Sequence, residues 1–196
     1  MKAMAFILIA AVFTLIAQPA LAHPPPLGIS GFFGGLLHPL YVTAHMTAVL
    51  GLGLLIGQQV DWSKVALWSA IVGLLIGLGV LTLGVAPRGA DMAALAVAAT
   101  SGLLVALARP LPEWLGAVLA ATTGLAVGLD SPPEVVSISE ANLMLIGTGL
   151  GGTILLVLAV ECGRQFRRGW HRIAGRILGA WIAASAMLAL ALRLAG

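Results

Sequence analysis

The chain has 196 residues, of which 60% are hydrophobic and 9% are charged, against about 25% charged in ordinary soluble domains. That is the profile of a polytopic membrane protein and not of a globular domain with a single core. The net charge of +3 comes from bases gathered largely in one short segment, so it is no nucleic-acid footprint, and one cysteine, Cys162, excludes an intrachain disulfide and any cysteine-cluster metal site.

Lys2 and the apolar run of residues 3–17 lead to Ala20-Leu21-Ala22, which places small residues at the two positions that signal peptidase inspects. A signal peptide over residues 1–22 is expected, with His23 as the new N-terminus ahead of Pro24-Pro25-Pro26. Apolar stretches then alternate with brief polar punctuation, and they predict helices at about 31–57, 65–85, 92–108, 114–129, 141–160 and 173–194. Each is near the ~20 residues that a helical crossing needs, the third and fourth being short. The expected fold is an all-α integral membrane protein, a six-helix transmembrane bundle forming one membrane domain over 23–196. Glycines recur four apart at Gly31/Gly35, Gly53/Gly57, Gly73/Gly77, Gly124/Gly128 and Gly147/Gly151, a spacing that lets helix backbones approach closely where lipid supplies no hydrophobic drive.

Lys64, Arg109 and the run Arg164, Arg167, Arg168, Arg172 and Arg176 fall in alternate loops, whereas the other loops hold only Arg88 and the near-terminal Arg193. By the positive-inside rule the first group is cytoplasmic. The expected location is a bacterial-type inner (plasma) membrane, with the mature N-terminus outside and the Arg-rich loop 164–176 inside. The loop carrying Asp130, Glu134 and Glu140 then lies on the outer face.

The residues most able to carry chemistry are His38 and His45, both within the first predicted span. Positions seven apart share a helix face, and an imidazole in hydrocarbon normally faces a cavity, a partner or a ligand. Nickel and cobalt ions accept imidazole readily, with carboxylate or water completing the shell. A straight helix separates the two rings by roughly 10 Å of rise, too far for easy chelation of one ion. Either Pro39 distorts the helix and brings them together, or they are successive stations on a path. The structural alternative is that each ring satisfies a backbone carbonyl or polar neighbour. Tyr41 and Thr43 add polar groups beside them, and the face through His38, Tyr41 and His45 is expected to point inward. His23 adds an imidazole next to a free amine, which suits metal capture, although Pro24 removes the following amide as a ligand. Asp130, Glu134 and Glu140 are candidates for an outer mouth that gathers cations, and Asn142 for a path in the fifth span.

The segment His38-Pro39-Leu40-Tyr41-Val42-Thr43-Ala44-His45 resembles the first-helix motif of the HupE/UreJ family, of the form His-Pro-x-x-Gly-x-Asp-His. It matches at His38, Pro39 and His45 and departs at Val42, where the family has glycine, and at Ala44, where the family has aspartate. A second, later histidine motif of that family has no counterpart between His45 and His171. The resemblance implies a membrane permease or accessory protein for a divalent transition metal, nickel or cobalt, handled through an intramembrane histidine site formed by His38, His45 and His23. The alternative is a non-transporting membrane subunit, scaffold or assembly factor, which the missing aspartate and missing second motif favour. Expected partners are the lipid bilayer, the metal ion and other membrane or metalloenzyme maturation proteins, with no nucleic acid. No nucleophile–base pair or phosphate loop occurs, so no enzyme and no firmly bound cofactor is expected, Ni2+ or Co2+ being the transported ion.

Overall fold

The computed structural model describes residues 29–59, 64–85, 87–133 and 137–195. Seven α-helices run through them: α1 Gly31–Tyr41, α2 Thr43–Gln58, α3 Val65–Thr82, α4 Ala90–Leu107, α5 Glu113–Leu129, α6 Ile138–Gln165 and α7 His171–Ala195. Among the described residues there is no strand. Four helices (α3, α4, α6 and α7) are long and apolar enough to cross a membrane, and α1 with α2 makes a fifth, bent span. Helix α5 is apolar but only 17 residues long, about 25 Å at 1.5 Å per residue against a hydrocarbon core of about 30 Å. The expected signal peptide, with His23, lies outside the described residues.

The single helix expected over 31–57 is in fact two, inclined at 69°. Val42 is the one residue between them, extended at φ −84° and ψ 106°, a conformation that suits a β-branched side chain. Its amide still bonds to His38 O at 3.2 Å, so the chain turns without losing that contact. The break lies three residues beyond Pro39, which stays inside α1.

Glycine seams hold the bundle together. Gly73 and Gly77 of α3 face Ala121, Leu125 and Gly128 of α5; a Cβ added at Gly77 would lie 2.7 Å from Leu125 O, and one at Gly128 only 2.6 Å from Leu74 O. Gly35 of α1 abuts the Met144 backbone of α6, and Gly147 and Gly151 abut Phe32 and Leu36 in return. Gly53 and Gly57 of α2 meet Ala159, Val160 and Gly163 further along α6. A seam not read from the four-residue spacing joins α4 to α7 through Gly102 and Gly179. Gly31 departs from the pattern: it starts α1 at φ +58°, and a Cβ added there would meet nothing within 4 Å. On the opposite face of α6, Ile146, Leu150, Ile154 and Leu158 form an exposed stripe, as a helix turned toward lipid requires.

The helices alternate in direction, which gathers their termini at two ends. At one end lie the start of α2 and the end of α5, and there Arg193 pairs with Asp91 at 3.4 Å. At the other, Arg167 donates from Nε to Gly57 O and from Nη2 to Gln59 O, both at 2.7 Å, and Arg176 Nε donates to Ala106 O at 2.8 Å. Part of the basic run therefore caps α2 and α4, whose last carbonyls carry the negative end of the helix dipole. Glu161 pairs with Arg164.

Candidate functional site

The bend at Val42 decides the geometry of the histidines. His38 rides on the last turn of α1 and His45 on the first turn of α2, and their ring centroids are 5.1 Å apart with planes inclined at 56°. The two rings thus face each other, where a straight helix would have held them two turns apart.

Each ring is held by one nitrogen. His38 Nδ1 lies 3.3 Å from Tyr41 Oη, which itself donates to Gly34 O at 3.1 Å. When that hydroxyl donates to the carbonyl, its oxygen is open to accept from His38 Nδ1. His45 is fully buried, and its Nε2 lies 2.8 Å from Asp130 Oδ2. A carboxylate accepts, so Nε2 carries the proton there. In neutral imidazoles these bonds leave the lone pair on the other nitrogen, His38 Nε2 and His45 Nδ1, and both atoms are buried without a partner among the described residues. Buried polar atoms are nearly always satisfied. Two such nitrogens on neighbouring rings are candidate metal ligands, since a metal ion takes an imidazole nitrogen at about 2.0–2.1 Å.

Asp130 comes from 85 residues away in sequence. It caps α5, with its amide on Ala126 O at 3.0 Å, and buried Ser131 donates to Val127 O at 2.7 Å as the helix ends ahead of Pro132. The glycine seam with α3 sets where α5 lies, and so where Asp130 arrives. Sequence reasoning put Asp130 at an outer mouth; in the fold its carboxylate orients His45. Its position at a helix end was the available signal, but not its partner.

The other predicted residues are dispersed. Tyr41 belongs to the site. Thr43 is exposed, and only its carbonyl is used, by Thr47 Oγ1 at 2.7 Å. Asn142 is exposed. Glu140 stands at the start of α6 in a capping box: its amide donates to Ser137 Oγ at 3.2 Å, and Ser137 Oγ to its carboxylate at 3.3 Å. These contacts serve the helix terminus. His23 and Glu134 lie outside the described residues. Among the described residues no group of three or more His, Cys, Asp or Glu side chains is placed to hold one ion, so the protein offers two nitrogens and one already engaged carboxylate.

The family model described as HupE / UreJ protein matches residues 10–189, most of the chain. The chain belongs to the HupE / UreJ family. That family is associated with nickel or cobalt transport and with accessory roles for urease and hydrogenase, not with a known enzymatic activity. Comparison with curated proteins and with solved structures returned no match. Ala44 stands beside His45 in the chain, and the pairing of His45 with Asp130 supplies a carboxylate from another helix.

Proposed function

We propose that this HupE / UreJ protein is a permease for a divalent transition-metal ion, nickel or cobalt, which binds in passing between His38 Nε2 and His45 Nδ1. The observation that carries the reading is the pair of buried, unpartnered nitrogens on facing rings. Tyr41 and Asp130 fix the tautomers, so the lone pairs are presented without rearrangement. Two nitrogen ligands with water are few for storage of an ion, and few ligands suit a site that must release it. The bundle crosses the inner membrane six times when the bent pair and α5 each count as one span. By the positive-inside rule its arginine-rich end is cytoplasmic and its histidine end faces outward.

A second reading, an accessory metal-binding or assembly subunit, is favoured by one observation. Beyond Thr47, α2 carries no polar side chain until Gln58, and Ala48, Leu52, Leu55 and Ile56 on it are almost fully buried. That stretch of α2 therefore offers an ion no ligand between the histidines and the arginine end. One measurement separates the two. In cells lacking their own nickel uptake, the wild-type chain is expected to raise labelled nickel accumulation, and His38→Ala or His45→Ala to return it to background. No accumulation, or accumulation indifferent to both substitutions, selects the accessory reading.

A further inference from the structure

At the end of the bundle opposite the histidines, a cavity of about 420 Å3 opens between the C-terminus of α2, the α4–α5 connection and the α6–α7 connection. Its size is in the range of small-ligand sites. Its walls include Gln58, Arg109, Glu113, Phe166, Arg167 and Arg172, three guanidinium groups against one carboxylate. Arg167 spends Nε and Nη2 on the end of α2, and Arg172 Nη2 reaches Ala108 O at 3.4 Å, which leaves each with further N–H groups. The Arg109 side chain has no ion-pair partner among the described residues. The start of α5 adds the positive end of a helix dipole.

Gln58 is the second, independent sign. Both its Oε1 and its Nε2 are buried with no partner among the described residues, a costly state for an amide. An anionic oxygen in the cavity would accept from Nε2. The level of the cavity is marked as well: the exposed Trp68, Trp114 and Trp170 all stand near the helix starts at this end, as aromatic side chains do at the headgroup plane.

We infer that this cavity binds a phosphate group, and that the phosphate is the headgroup of an anionic phospholipid. The guanidinium groups are suited to phosphate by their fork of N–H donors, and basic pockets between membrane helices take such headgroups. A free phosphate ion shares the chemistry, but it would leave most of the volume unfilled and draws no benefit from the tryptophan-marked plane.

The test uses the purified full chain in detergent, with bound lipid counted by native mass spectrometry. Phosphatidylglycerol is expected to bind as a single molecule at least about tenfold more tightly than phosphatidylcholine. Arg109→Gln combined with Arg172→Gln should lose that preference. Arg88→Gln with Arg193→Gln, an equal charge loss at the other end, should keep it, which separates a site from net charge. Arg167 is left intact because it caps α2. Equal binding of the two lipids, or equal losses in the two double variants, overturns the proposal. Inorganic phosphate is the remaining arm: arginine-dependent binding of it, with none of phosphatidylglycerol, overturns the lipid assignment.

Discussion

Asp130→Ala is expected to lower the affinity of the purified protein for nickel by about 10–100-fold, the usual cost of losing the group that orients a metal-binding imidazole. The His45 ring is fully buried and its Nε2 proton goes to Asp130 at 2.8 Å. Without the carboxylate the proton has no acceptor there, and the tautomer that exposes Nδ1 is no longer favoured. Asp130→Asn keeps an acceptor oxygen but removes the charge, so it should fall between wild type and alanine. Calorimetric nickel titration, with circular dichroism to confirm helix content, reads the effect. Full affinity in Asp130→Ala would reduce Asp130 to a helix-end residue with no part in the site. A buried donor left unpaired also costs about 1–3 kcal/mol, so the alanine variant should unfold at lower temperature even without metal.

Gly147→Leu should have the largest effect on the fold and should reach the site through it. The glycine lies where a Cβ would be 2.7 Å from Leu36 N and closer still to Phe32 O. Both are backbone atoms of α1, which cannot swing aside as a side chain can. The helix must move away from α6, at a cost of about 1–3 kcal/mol or more. Since α1 carries His38 and α2 carries His45, the same displacement should separate the rings and abolish nickel binding. Gly79→Ala is the matched control, because an added Cβ there meets nothing within 4 Å and a helical alanine is if anything stabilising, by up to about 1 kcal/mol. Thermal unfolding in mixed micelles, followed by nickel titration, checks both. Wild-type behaviour of Gly147→Leu would mean that α1 is not held by this seam.

Much of the architecture was legible one segment at a time. Apolar stretches near 20 residues must form helices in lipid, because every backbone amide has to be satisfied within its own segment. Proline, glycine and charge mark where such stretches stop, which is why the expected and observed elements fall in the same order. The glycine spacings pointed to close seams for the same local reason, and the carbonyls against Gly35, Gly124, Gly147 and Gly151 are where the packing is tightest. The histidines were legible as unusual, since an imidazole in a hydrocarbon segment needs a partner.

What the partner was could not be read. A period of 3.6 residues says which positions share a face of one straight helix, and it is silent once the helix breaks at Val42. That single extended residue turned a separation of two helical turns into rings 5.1 Å apart. The carboxylate at His45 came from the end of α5, placed there by a seam with α3. Arg167, which looked like a topology signal, closes the end of α2 from 108 residues away. Composition and spacing determined that this protein is a bundle of membrane helices carrying an out-of-place pair of imidazoles. Only the packing of α2 against α1 and α5 decided that the two rings lie side by side with Asp130 on His45, because hydrogen-bond partners distant in sequence are chosen by helix placement and not by local pattern.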